Sequence, residues 1–420
     1  MQGECVPTMS RRGLVGTVLA GLVAARADAA ALPGGAAAAA SEPLPFGALF
    51  PFSGALALLG DESFRGLDLA ADERNAAGGL LGRRVVLVRG DAADATPAAA
   101  EAERLITAAH AAAVFGSYAS AVALAGSAVA AVAAVPYFEL DALADAITER
   151  GLRLLFRSGL AAGACGAAAT DCAADLLAPS WQIAPADLRL VILHEDGPTG
   201  SSVAAGAERR AAARGFARAE RIAYAAAALD LGPIVQRLRA SEVALVLHAG
   251  QVNDVLLFHR AMQLAAWHPR MVIGVGGGYA LADTAAALGA AFEGVMCVGV
   301  APYRISPVVA PGAAEVAAAY QRKYGAPPRS GHSLACFAGA RLFFDAIAAA
   351  ATLDGERLRA AVLATDVPTG ATVGGSGAQF DGRGQNLRAV TYLGQWRGGA
   401  LLTIAPLPAA VAPPVVALGG

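Results

Sequence analysis

The sequence contains one lysine, Lys323, and arginine carries nearly all of its positive charge. A phosphate-binding loop of the P-loop type requires Gly-Lys followed by Ser or Thr, but Lys323 stands in Arg-Lys-Tyr. Cysteine is also scarce: Cys5, Cys165, Cys172, Cys297 and Cys336 form no C-x-x-C pair. Cys165 and Cys172 lie in an Ala-rich stretch that reads as helix. At about 1.5 Å of rise per residue their Cα atoms stand roughly 10 Å apart, too far for a disulfide, so they read as small core residues. The histidines are scattered, with no H-x-x-x-H spacing to suggest a local metal site. Charged residues make up 16% of the chain and the net charge is −2. There is no basic excess to follow a nucleic-acid backbone, so nucleic acid is not an expected partner.

Hydrophobic residues make up 56% of the 420 positions, enough to bury a large core in two or three domains. Ser10-Arg11-Arg12-Gly13-Leu14 opens an uncharged run to Ala25, followed by small residues suited to cleavage. Residues 1–29 therefore read as a twin-arginine-like export signal, with Met9 as an alternative start. This apolar run is too short to span a bilayer. A second uncharged run, Ala111 to Phe138, is broken by Gly116, Ser117, Ser120 and Pro136. It reads as strand, turn, buried helix and strand, so an integral membrane protein is not expected. Residues 30–45 read as a flexible lead-in and residues 406–420, rich in Pro and Ala, as a loose tail.

Between these ends, strand-like and helix-like segments alternate. Phe46–Pro51, Arg84–Arg89, Leu188–Leu193, Val243–Leu247 and Met271–Val275 are apolar strand candidates. Helical spacing runs from Asp61 to Ala77, ended by Gly78-Gly79, and from Pro97 to Ala109. The alternation predicts an α/β fold with parallel sheets covered on both faces. The length accommodates two such sheets, with a change from one to the other near Arg157–Gly159.

Residues 274–279, Gly-Val-Gly-Gly-Gly-Tyr, follow one of these strands and precede a helical stretch, a setting in which phosphates are often bound. A dinucleotide fingerprint has a last glycine, opens a domain and is followed about 20 residues later by an acid. Here the last glycine is absent, the motif comes late and Asp283 is too close. Gly374-Gly-Ser376-Gly is not a complete nucleophile elbow, since Ala378 stands where glycine is required. No cofactor and no catalytic constellation is expected, and a nucleotide-dependent enzyme is a distant alternative.

A set of ordered blocks resembles the leucine/isoleucine/valine-binding family of bacterial solute-binding proteins. It comprises Gly66 to Arg83, Asp91, Ala99 to Ile106, Phe115-Gly116-Ser117, Thr148-Glu149-Arg150-Gly151, Glu293-Gly294-Val295 and Phe380 to Asn386. The resemblance implies a type I periplasmic binding protein: two Rossmann-like lobes joined by three crossovers. The first lobe would be 46–158 plus 302–388 and the second 159–301 plus 389–405. A small-molecule ligand (amino-acid-like, an amide or an organic acid) would bind between lobes that close around it. The liganded receptor would serve the membrane subunits of an ABC importer from the periplasm. A ligand-sensing subunit of the same fold for a membrane sensor or regulator is the alternative.

Carried over by position, Ser120 matches a serine that holds a ligand carboxylate at a helix N-terminus, although a serine there also caps its own helix. Ala142 and Leu143 fall on the loop that supplies a carbonyl and a threonine in amino-acid binders. Leu59, Thr199 and Gln251 take positions often held by aromatics, which implies a roomier cleft with Tyr279 or Phe138 as substitute stacking faces. Glu139 and Asp141 either face the cleft or are solvated loop charges. Gly276 falls where amino-acid binders carry a glutamate for the ligand's α-ammonium. Either the ligand lacks that group, or Glu139, Asp141 or Asp196 takes over.

Overall fold

The computed structural model describes residues 42–418. The expected export signal, Cys5 and most of the lead-in lie outside the described residues. The strands, in chain order, are β1 (Leu44–Phe50), β2 (Val85–Asp91), β3 (Val114–Gly116), β4 (Tyr137–Glu139), β5 (Leu155–Arg157), β6 (Leu190–Glu195), β7 (Ala219–Tyr224), β8 (Leu245–Ala249), β9 (Met271–Val275), β10 (Met296–Gly299), β11 (Asp366–Val367), β12 (Ala378–Gln379), β13 (Tyr392–Arg397) and β14 (Ala400–Ala405). One sheet has the order β2-β1-β3-β4-β5 and another β14-β13-β10-β9-β8-β6-β7. The pairings from β1 to β10 are parallel, whereas β13 and β14 add an antiparallel edge.

Alternating side chains fill the two faces of each sheet. On β1, Phe46, Ala48 and Phe50 enter one core while Leu49 enters the opposite one. On β6, Leu190 and Ile192 face one core and Val191 and Leu193 the other. Because helices cover both faces, the central strands are apolar throughout rather than alternating with polar residues. Cys165, Cys297 and Cys336 are enclosed in these cores, and Cys172 is half-buried; all four are free thiols. The helix His332–Ala350 is long and apolar enough to cross a bilayer, but 61% of its apolar window is buried within the fold. It packs in the core of the first sheet with Phe64 and Leu67 of helix Ala57–Ala76.

The chain crosses between the sheets after β5, after β10 and after Asn386. The first and third crossings are hydrogen-bonded to each other: Arg157 N–H donates to the Gly384 carbonyl at 2.8 Å, and Asn386 N–H to the Arg157 carbonyl at 3.0 Å. Arg157 is 1% exposed. Its guanidinium donates to Gln385 Oε1 at 2.6 Å and to the carbonyls of Leu143 and Ala144 at 2.8 Å each. The Phe380–Asn386 block thus forms part of the connection between lobes.

Two end segments differ from expectation. Leu44 and Pro45 already belong to β1, paired with Val85 and Val86, rather than to a flexible lead-in. Residues 406–418 are not a loose tail. Ala409 is fully buried, Val415 exchanges hydrogen bonds with the Gln395 side chain, and Trp181 Nε1 donates to the Val416 carbonyl at 2.7 Å. Leu418 N–H donates to the Arg270 carbonyl at 2.9 Å. A Pro/Ala-rich composition carries no periodic signal, yet its backbone groups here find partners on both lobes, with the Ala409 carbonyl accepting from Ser306 N–H of the first.

Candidate functional site

In an open α/β sheet, ligands bind beyond the carboxyl ends of the strands, where the strand order reverses. In the first sheet that reversal lies at β1 and β3, and in the second at β6 and β8. The loops leaving these strands face one another. Ser120 Oγ lies 2.8 Å from Thr199 Oγ1, and Tyr118 Oη donates to Gln251 Oε1 at 2.7 Å. Further out, Arg329 pairs with Asp283 at 2.5 Å and Gly163 N–H donates to Asp145 at 3.0 Å.

Ser120 is the first residue of helix Ser120–Val132, whose N-cap, Ala119, offers no side-chain hydrogen bond. Its hydroxyl does not cap that helix; it accepts from Ala144 N–H at 3.0 Å and meets Thr199. The first turn therefore keeps unsatisfied N–H donors at the cleft. The opposing helix starts are already occupied. Glu195 accepts from the N–H groups of Gly197 and Gly200, and Gln251 and Asp254 form a capping box on Val252–Leu264. Burial raises both carboxyls, that of Asp254 to about 6.

Leu59 is fully buried and forms, with Tyr118, the surface against which Gly277 docks. A Cβ at Gly277 would stand 2.3 Å from Tyr118 Oη and 2.9 Å from Leu59 Cδ1. Gly276 has φ +108°, a conformation rare for side-chain-bearing residues, and its Cβ would stand 3.0 Å from the Gly250 carbonyl. The backbone itself thus disfavours a glutamate at 276. Ala142 and Leu143 form the loop beside Ser120; the Ala142 N–H is taken by Glu139, and the Leu143 side chain packs on the second lobe's core.

Four expected contributors lie elsewhere. Tyr279 is fully buried in the second lobe, bonded to His248 Nδ1 at 2.6 Å and stacked on Phe292. It faces inward because the short helix Gly277–Ala280 turns it under β9 rather than over the cleft. Phe138 stacks on Phe343 inside the first lobe, with ring centroids 4.5 Å apart. Glu139 is fully buried rather than a solvated charge. Its Oε1 accepts from the N–H groups of Ser117, Asp141 and Ala142 at 2.7, 3.0 and 2.7 Å, tying two loops together. Burial pushes its carboxyl up to about 7, although those three donors pull the other way. Asp196 accepts from Ala226 N–H at the outer side of β7.

The sequence reading missed Tyr118, Ser63 and His332. Asp141 accepts from Ser63 Oγ at 2.5 Å and from His332 Nδ1 at 2.8 Å, and the His332 ring meets Tyr118 edge to face at 5.4 Å. Ser63 and His332 lie far from Asp141 in sequence, and no local spacing joins them.

Two α/β lobes linked by three crossings, with polar loops meeting at both switch points, define a solute receptor that closes on its ligand. Comparison with known proteins agrees: the family profile described as periplasmic binding protein matches residues 43–400, and the chain belongs to that family. It is 40% identical over 383 residues to "Leu/Ile/Val-binding protein homolog 8" of Brucella suis biovar 1, covering 91% of this chain and 95% of that relative. Its fold is similar to that of LivJ from Streptococcus pneumoniae in complex with isoleucine, with a TM-score of 0.73, 20% identity, and 86% and 97% of the two chains covered. It is equally similar to a solute-binding protein of an R. palustris ABC transporter in complex with benzoate, with a TM-score of 0.73, 21% identity, and coverage of 88% and 98%.

Proposed function

We propose that this protein is the periplasmic receptor of an ABC importer and captures a small carboxylate that need not carry an α-ammonium group. The observation that carries this reading is the helix start at Ser120. It is a cleft-facing helix N-terminus whose N-cap makes no side-chain hydrogen bond, and Ser120 Oγ and Thr199 Oγ1 flank it. Free N–H donors and the helix dipole favour an anion there. Gly276 supplies no charge to an ammonium, and a buried unpaired ammonium is costly.

A ligand seated between Ser120 and Thr199 bridges groups that otherwise meet directly. It stabilises the closed form only through contacts the open form lacks. The closed lobes then present a composite surface to the importer's membrane subunits. Isoleucine and benzoate, the ligands of structurally similar proteins, bracket the choice between an amino acid and a plain acid.

The test is calorimetry and thermal unfolding of the exported protein, stripped of ligand, with leucine, isoleucine, benzoate and small aliphatic acids. At least one carboxylate without an α-ammonium is expected to raise the unfolding midpoint as much as leucine does. Stabilisation by none of them would overturn the reading.

A further inference from the structure

Asp141, Ser63 and His332 form a buried cluster at the lobe boundary that the carboxylate reading leaves without a task. Asp141 is 2% exposed and His332 4%. The Asp141 carboxylate is fully engaged on one side by Ser63 Oγ and on the other by His332 Nδ1. The ring is thereby fixed in orientation, and Nδ1 carries its proton toward the carboxylate. Among the described residues, Nε2 of His332 has no hydrogen-bond partner, and it is not one of the fully enclosed orphan atoms such as His259 Nε2. Burial alone would lower this imidazole. The charge and hydrogen bond of Asp141, with the charge of Glu62, outweigh it and raise the group above its ordinary value.

His332 opens the helix His332–Ala350 three residues after Arg329, which pairs with Asp283 of the second lobe. Its ring edge lies against Tyr118, whose hydroxyl reaches across to Gln251. Tyr118 precedes Ser120 by two residues on the same loop. The cluster therefore stands beside the Ser120 helix start, on the other side of Tyr118. Glu62 holds this arrangement from behind, accepting from Ser333 Oγ at 2.6 Å and Tyr320 Oη at 2.6 Å.

We infer that His332 is a second ligand-binding residue whose Nε2, the ring nitrogen that Asp141 does not engage, hydrogen-bonds a further polar group of the solute, so that the preferred ligand is a small carboxylate bearing such a group, with Asp141 as the positioning residue. This rests on the carboxylate reading and narrows it: Ser120 and its helix take one end, and His332 takes the other. A ring nitrogen held in place by Asp141 discriminates among solutes that reach it, because a ligand without the matching polar group leaves it unpaired.

The experiment compares two probe pairs on the exported protein by calorimetry: 4-hydroxybenzoate against benzoate, and glutarate against butyrate. Wild type is expected to favour the member with the additional polar group in at least one pair by tenfold or more. His332→Phe keeps the ring edge against Tyr118 but has no donor. It should bring that ratio close to one, chiefly by lowering the affinity of the member with the additional polar group. A merely structural role would weaken both members alike and would overturn the inference, as would equal wild-type affinities within each pair. Asp141→Asn supplies the same readout if His332→Phe does not fold, with a smaller fall in the ratio expected. If Ser120→Ala abolishes binding while His332→Phe changes nothing, the carboxylate reading stands and this inference fails. If wild type binds none of the four probes, this inference fails, and the carboxylate reading fails with it only if leucine, isoleucine and the small aliphatic acids also leave the protein unstabilised.

Discussion

Ser120 and Thr199 come from different lobes, and their hydroxyl oxygens lie 2.8 Å apart. Each follows a strand at its sheet's switch point, so the contact joins the two positions where this architecture binds ligands. Thr199→Val preserves the side-chain shape and removes the hydroxyl. Loss of one hydrogen bond of ordinary strength, about 0.5–1.5 kcal/mol, should weaken ligand affinity up to about tenfold by calorimetry. The unliganded unfolding midpoint should stay nearly unchanged; unaltered affinity would mean that this contact is not part of the liganded form.

Gly277 sets how far the lobes approach. With Tyr118 Oη only 2.3 Å from the position of an added Cβ, Gly277→Ala should hold the cleft ajar. The expected result is at least tenfold weaker binding and a smaller ligand-induced contraction in solution scattering. Wild-type contraction would refute a closure role for this glycine.

Tyr279 separates a core residue from a cleft residue. Tyr279→Phe deletes the hydroxyl bonded to His248 and should cost about 1 kcal/mol of stability. Ligand affinity should remain at the wild-type value. A clear loss of affinity with unchanged stability would return Tyr279 to the site.

The Glu139 carboxyl gives the fold a pH dependence of known sign. An unfolded Glu loses its proton near 4.5, whereas in the folded protein burial holds the proton up to about 7. Its contribution to stability is complete below 4.5, falls as pH rises through this window and is gone above about 7. Glu139→Gln should flatten the chemical-denaturation profile between these values. An equally steep profile in the variant would assign the dependence to another group.

The C-terminal segment is testable by truncation after Ala405. This removes the partners of Gln395 and Trp181, and a lower unfolding midpoint with altered tryptophan fluorescence is expected. An unchanged midpoint would mean that these contacts contribute nothing measurable.

The fold was legible because alternating apolar strands and helices impose a parallel sheet, and the ordered blocks from Gly66 to Asn386 span the chain. Ser120 and Gly276 were singled out by their positions in the family resemblance, and the structure puts Ser120 at a helix start against Thr199 and Gly276 in a positive-φ turn. Tyr279 misled because sequence places it next to those glycines, while the turn directs its ring inward beneath β9. Glu139 misled for a related reason: an acid at a strand end looks available for ligand until the backbone donors of two loops are seen to use it. The Asp141–Ser63–His332 cluster was invisible because its members come together only when helices Ala57–Ala76 and His332–Ala350 pack side by side. The 406–418 segment gave no pattern, since its anchors are backbone groups and side chains of remote strands.

The four described thiols are enclosed or half-buried, and burial pushes those of Cys165, Cys172 and Cys297 up to about 12. Maleimide chemistry requires the thiolate, so these positions stay silent under brief labelling at neutral pH. Val132 on the first lobe and Leu264 on the second are about 90% exposed. Cysteines introduced at these two sites can carry a donor and acceptor dye pair, making the opening and closing of single molecules directly observable.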